Sequence, residues 1–249
     1  MKIFSKKTLN KAKNKATTGT FALILTILAL SPSVALARRD PFIPYKTPVM
    51  VVMPRVYNFP NLTAPLEWRT VYDGYGTVNW DVNLQQITMS PKPATQPTET
   101  HAALVVSKSS YHQPFQLNYT MKTTKQLRVG STPNAWEVGW LVFGYKTDGK
   151  FKYLILKPNG YGLELGESLL NDKQNFLYTS AFNQDLFPVN KDYNVTIIAQ
   201  NNIITITING KQYAPYSLTN KDALTVDGQY GFYTEDAAVQ VSNIKMEQF

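Results

Sequence analysis

Val138-Gly-Trp-Leu-Val-Phe-Gly-Tyr145 and Tyr153-Leu-Ile-Leu-Lys157 stand on either side of Asp148-Gly149. Runs this short, rich in β-branched and aromatic residues and joined by an Asp-Gly pair, read as a β-hairpin, because glycine accepts the positive φ of a primed turn. The same grammar extends in both directions. Phe115 to Met121 alternates apolar and polar residues strictly, the period of a half-buried strand. Asn159-Gly160 leads into Leu163-Glu164-Leu165, and Tyr193 to Gln200 meets Ile203 to Ile208 across Asn201-Asn202. Asn209-Gly210 ends that strand, Asp227-Gly228 opens Tyr230 to Tyr233, and Val239 to Met246 closes the chain. After residue 37 no segment keeps an apolar stripe of helical period, and one short helix is expected around Glu167 to Asn175. Ten or more strands in meander-like order imply an all-β antiparallel sandwich or barrel. Their uneven spacing argues against a propeller or solenoid.

The 249 residues carry a formal net charge of +8, which at first suggests a nucleic-acid partner. The charge is concentrated at one end. Six lysines and no acid precede an apolar run from Phe21 to Leu30, and Ala35-Leu36-Ala37 stands before Arg38. A positive leader, a short apolar core and an A-x-A exit predict a secretory signal peptide over residues 1–37. A ten-residue core is too short to span a hydrocarbon layer of about 30 Å. Without the leader, nineteen basic residues face seventeen acids, leaving about +2, and nothing in that balance calls for a nucleic acid. Residues 38–65 hold six prolines and are expected as an extended lead-in, with Pro48 to Val56 apolar enough for an edge strand. One domain is expected over 66–249. The chain has no cysteine, which excludes a disulfide scaffold, a thiolate metal site and a cysteine nucleophile. Two histidines, His101 and His112, lack metal-ligand spacing, and no P-loop, Rossmann or G-x-S-x-G pattern occurs.

Several stretches resemble the concanavalin A-like lectin/glucanase superfamily, a two-sheet antiparallel jelly roll. The likeness is carried by Ala135-Trp-Glu-Val-Gly-Trp-Leu-Val-Phe-Gly-Tyr145, Phe151-Lys-Tyr-Leu-Ile-Leu-Lys-Pro-Asn-Gly160 and Leu163-Glu-Leu-Gly166. Asn202-Ile-Ile-Thr-Ile-Thr-Ile-Asn-Gly210 and Gly228-Gln-Tyr-Gly-Phe-Tyr-Thr-Glu-Asp236 continue it in the right order. It is nearest to the laminin-G-like and family-16-glycosidase-like branches, including 3-keto-disaccharide-hydrolase-like domains. The resemblance implies a carbohydrate setting shared by binding modules and enzymes. The E-x-D-x-x-E strand of family-16 glucanases is absent, as are the R-x-E-x-R and Y-x-K signatures of alginate-lyase-like jelly rolls. The expectation is therefore an exported, non-catalytic, lectin-like domain, secreted, periplasmic or held at the cell surface, that recognises an extracellular glycan. A glycoside hydrolase or polysaccharide lyase is the first alternative, and a structural or adhesive surface protein the second.

Strand parity nominates the residues. Leu154 and Leu156 should point inward, leaving Tyr153, Ile155 and Lys157 outward, and Leu163 and Leu165 likewise put Glu164 outward. One sheet face is then expected to show Glu137, Tyr145, Tyr153, Lys157 and Glu164, with Gly139 and Gly144 leaving room for a ligand. Aromatic rings stack on sugar CH faces while charged groups hold hydroxyls. The opposing reading is that these rings are core packing and the charges an ion-paired ladder. In the enzyme alternative, Glu137 and Glu164 form the acid/base pair. Related jelly rolls often hold a structural calcium ahead of the last strand, which makes Glu235 and Asp236 the candidate calcium ligands.

Overall fold

The computed structural model describes residues 67–146, 150–169, 173–213, 215–219 and 222–249. The expected leader, the proline-rich lead-in and the Asp148-Gly149 turn lie outside them. In chain order the strands are β1 (Trp68–Tyr72), β2 (Thr77–Asp81), β3 (Gln86–Ser90), β4 (Ala102–Tyr111) and β5 (Phe115–Gln126). Next come β6 (Gly139–Tyr145), β7 (Phe151–Leu156), β8 (Leu163–Ser168), β9 (Gln174–Thr179) and β10 (Tyr193–Gln200). The last five are β11 (Ile203–Ile208), β12 (Lys211–Gln212), β13 (Tyr216–Ser217), β14 (Gly228–Glu235) and β15 (Ala237–Gln248). Among the described residues there is no helix, and so none long and apolar enough to cross a membrane.

Two antiparallel sheets result. Seven strands join in the order β1-β4-β14-β6-β7-β8-β9, and eight build the other sheet as β12-β11-β10-β5-β15-β3-β2 with β13 beside β11. The expected hairpin of β6 and β7 forms, Trp140 opposite Ile155 and Phe143 opposite Lys152. The turn at Asn201-Asn202 takes positive φ at both residues (52° and 59°), and Asn209-Gly210 does the same (48° and 80°). That is the primed geometry whose twist matches the flanking strands.

The strands alternate as their sequences promised. From β5, Phe115, Leu117, Tyr119 and Met121 point between the sheets, where they meet Val105, Leu141, Phe143, Leu154, Leu165 and Phe232 of the seven-stranded sheet. In β10 and β11, Val195, Ile197, Ile204 and Ile206 extend this core from the second sheet. Each fully buried Leu, Ile or Phe contributes roughly 1.5–3 kcal/mol, the term on which a chain without disulfides depends.

The expected helix at 167–175 is replaced by a hairpin. Glu167 and Ser168 end β8, and Gln174 and Asn175 begin β9 opposite them. The polarity of this stretch has another cause than helix exposure. The Glu167 carboxylate is fully buried, takes the Lys152 ammonium at 2.5 Å and the Asn175 amide at 3.0 Å, and accepts the Ala223 and Leu224 N–H groups. These cross-strand partners fix it where helix propensity would not.

Candidate functional site

The face of the seven-stranded sheet turned away from the second sheet is built by the alternate residues of β4, β6, β7 and β14. Leu104, Val106, Trp140, Val142, Tyr153, Ile155 and Tyr233 form its own apolar cluster, separate from the core between the sheets. Parity therefore placed Tyr153, Ile155 and Glu164 on the correct side. Tyr145 reaches this side by a different route. Leu141 and Phe143 point into the core, so strict alternation would bury Tyr145 with them. Gly144 takes φ 62°, and opposite it the register of β14 slips, Gln229 pairing with Tyr145 and Gly231 with Val142. One extra residue in β6 is a β-bulge, and it turns Tyr145 back to the Trp140 face.

The sheet then brings four of the five nominated ligand-binding residues into one connected row. The Tyr145 ring lies 6.2 Å from Phe151, Phe151 lies 6.1 Å from Tyr233, Tyr233 lies 4.9 Å from Trp140, and Trp140 lies 5.1 Å from Tyr153. The Tyr153 hydroxyl donates to Glu164 Oε1 at 3.3 Å, and Lys157 Nζ meets Glu164 Oε2 at 2.5 Å. Burial and the Glu164 carboxylate together push the Tyr153 hydroxyl well above its ordinary value. Both oxygens of Glu164 are thus engaged within the sheet, and Tyr145, Tyr153, Lys157 and Glu164 are all buried.

Glu137 belongs elsewhere. It precedes β6 and is fully buried in a charge cluster with Arg128 and Asp236. Arg128 Nε donates to Glu137 Oε1 at 2.6 Å, its Nη2 to Asp236 Oδ2 at 2.9 Å, and its remaining donors reach the carbonyls of Gln96 and Glu99 at 3.0 Å. Asn134 also donates to Glu137, and the His101 N–H donates to Asp236 Oδ1 at 2.9 Å. Glu137 and Glu164 consequently have separate partners, one an internal guanidinium and the other an ammonium and a phenol. The expected space beside the glycines is also filled. A Cβ on Gly139 would meet Met121 Sδ at 2.6 Å and Val239 at 2.9 Å, and one on Gly144 would collide with the Thr225 carbonyl. These glycines let backbone approach protein, where a ligand had been expected.

Glu235 and Asp236 do not converge on a common point suited to calcium. The Glu235 carboxylate accepts the Tyr233 hydroxyl at 2.5 Å, whereas Asp236 takes Arg128 and the His101 amide. Burial first, then the neighbouring Asp236 and Glu137 charges, hold Glu235 above its ordinary value. Asp236 is raised by burial against the pull of its hydrogen bond and of Arg128. A calcium site gathers several ionised oxygens with free lone pairs. Here a guanidinium has taken the cation's place, and the residues present do not fit the metal. Among the described residues no group of three or more acidic or histidine side chains is arranged for an ion.

The open part of this face is a groove of about 970 Å³ at its Tyr145 end. Arg69, His112, Tyr145, Lys146, Asp227 and Gln229 line it. Gln229 is fixed by donating to the Ser107 carbonyl at 2.7 Å, and its Oε1 accepts Arg69 Nη2 at 3.3 Å. Asp227 Oδ1 accepts the Gln113 N–H at 2.9 Å, while its Oδ2 lies 3.8 Å from His112 Nδ1. Only Tyr145 among these was nominated from sequence. The others come from β1, the β4–β5 turn, the β6–β7 hairpin, and β14 with the residue just before it, so no local spacing joins them.

No protein-family model and no curated protein sequence matches the chain. Solved structures do. A carbohydrate-binding module of Bacillus subtilis, CBM66, superposes with a TM-score of 0.53 at 16% identity, over 73% of this chain and 95% of that one. A sialidase gives 0.47 at 11% identity, covering 73% of this chain and only 17% of the sialidase. The seed lectin of Lotus tetragonolobus gives 0.43 at 11% identity, over 75% and 95% of the two chains. At such identities the first of these speaks for architecture alone. The likeness shows the fold: the protein is a two-sheet antiparallel β-sandwich similar in architecture to that carbohydrate-binding module.

Proposed function

We propose that this protein is an exported, non-catalytic carbohydrate-binding domain that holds an extracellular glycan at the groove on the outer face of its seven-stranded sheet. The observation that carries the proposal is the groove itself. Its volume lies at the upper end of the roughly 300–1,000 Å³ common among ligand sites. An aromatic row ends in it at Tyr145, and hydrogen-bonding groups from four separate segments border it. Half-buried Val71 supplies apolar surface in the lining, and groups such as Gln229 and His112 supply partners for hydroxyls. The buried row from Tyr145 to Glu164 acts as the rigid support. Export rests on the lysine-rich leader and its A-x-A exit.

The separate settings of Glu137 and Glu164 speak against a paired acid and base, since Glu137 is tied to Arg128, which it shares with Asp236, and Glu164 to Lys157. Affinity electrophoresis of the whole protein through a panel of soluble polysaccharides, run beside a reducing-sugar assay, tests the reading. Retardation by at least one polysaccharide without release of reducing ends is expected. His112→Ala, at an exposed position, should weaken retardation about five- to tenfold with an unchanged melting temperature, the loss of one polar contact. Retardation indifferent to that substitution removes the groove from the proposal, and released product overturns the non-catalytic assignment.

A further inference from the structure

The groove has an electrostatic character that neither the net charge nor the fold announces. Lys108, just outside it, is paired with Glu67 at 3.0 Å. The two cations inside the groove are not so paired. Among the described residues no carboxylate lies within ion-pair distance of Arg69 or Lys146, and both side chains belong to exposed positions. The one acid of the lining, Asp227, is committed to the Gln113 N–H and faces His112. Arg69 is nonetheless held in place. Gln229 is pinned by the Ser107 carbonyl and offers its Oε1 to one guanidinium nitrogen, which leaves the other donors of the fork for a ligand.

We infer that the groove selects a sugar bearing an anionic substituent, a uronate carboxylate or a sulfate ester, bound between Arg69 and Lys146. This rests on the carbohydrate-binding reading and gives it a ligand class. A planar guanidinium takes the paired oxygens of a carboxylate or sulfate through two parallel hydrogen bonds, while an ammonium acts as a neighbouring point charge. The size of the groove favours a saccharide over a lone inorganic anion. The charge is local. A mature chain of about +2 provides little long-range attraction, so selection comes from two cations at contact distance.

Matched pairs of polymers test the inference on the full-length protein. Polygalacturonate is compared with its methyl ester, and dextran sulfate with dextran, by affinity electrophoresis or calorimetry at physiological salt. At least one anionic member should bind about tenfold or more tightly than its neutral partner, and the pair that discriminates identifies carboxylate or sulfate. Arg69→Ala combined with Lys146→Ala should abolish that preference and leave residual affinity near the neutral polymer's. Lys108→Ala, removing a charge outside the groove, should leave the preference intact; its loss there would reduce the effect to general surface charge and overturn the inference. Binding of neutral and anionic members alike overturns charge selection while the carbohydrate-binding reading stands. Silence toward both members, extended over a neutral glycan panel, overturns both.

Discussion

Asp236 stands where the chain leaves one sheet for the other, between β14 and β15, and it does so with φ at 43°. An L-residue other than glycine is uncommon there, and aspartate is among those that tolerate it. Its carboxylate bonds the His101 N–H, its own N–H donates to the His101 carbonyl, and Arg128 closes the charge. Arg128 is almost wholly removed from water, yet its guanidinium donors meet two carboxylates and two carbonyls. A buried ion of this kind survives because each guanidinium nitrogen has an acceptor. Its neighbour Glu235 has the less favourable position, raised by burial and by the adjoining carboxylates. A carboxyl whose folded value exceeds its unfolded one contributes stability below the unfolded value and loses it as pH rises through the folded one. Glu235→Gln should therefore raise the melting temperature at neutral pH and leave it nearly unchanged near pH 4, because the amide still accepts the Tyr233 hydroxyl without carrying a charge. Differential scanning calorimetry of both proteins over about pH 4 to 7 reads the difference, in which Glu167 and Asp222, both held below their ordinary values by hydrogen bonds and Lys152, cancel. An equal shift at both ends of the range would remove the charge explanation.

Strands make the face, and two glycines adjust it. Gly144 supplies the positive φ of the bulge that carries Tyr145 to the groove. Gly166 lies opposite Tyr153, and a Cβ there would occupy the space of the Tyr153 ring. Gly144→Ala combines a left-handed conformation costing about 1–3 kcal/mol with a collision against the Thr225 carbonyl. A lower urea midpoint, together with loss of glycan retardation as Tyr145 shifts, is the expected outcome. A stability loss with full retardation would show that the bulge does not position the site. The elements were legible in the sequence wherever one side of a strand is core and the period of two survives, as in β5, β7, β8 and β10. Legibility failed at Gly144, because an inserted residue reverses parity without altering composition. It failed again at 167–175, where a buried glutamate on an edge hairpin looks like the polar side of a helix until Lys152 is placed opposite it. The groove was illegible for a third reason: Arg69, His112, Lys146 and Gln229 meet only through the pairing of β1, β4, β6 and β14.

At the scale of the molecule, two sheets without a disulfide are held by the core between them and tied at the corner where β14 passes to β15. Arg128 reaches that corner from the end of β5, Glu137 from the start of β6, and His101 from the start of β4. Added calcium at millimolar concentration, or its chelation, should leave the melting temperature unchanged, since both Asp236 oxygens are already engaged by the His101 N–H and Arg128. A rise with calcium would place an ion at this corner after all. A metal clamp obeys mass action, so a fold that uses one loosens as its surroundings are depleted. Arg128 is attached to the chain it secures, and its effective concentration at the corner is set by the fold. The corner therefore has no dissociation constant to fall below, and dilution or a chelating medium gives it nothing to lose.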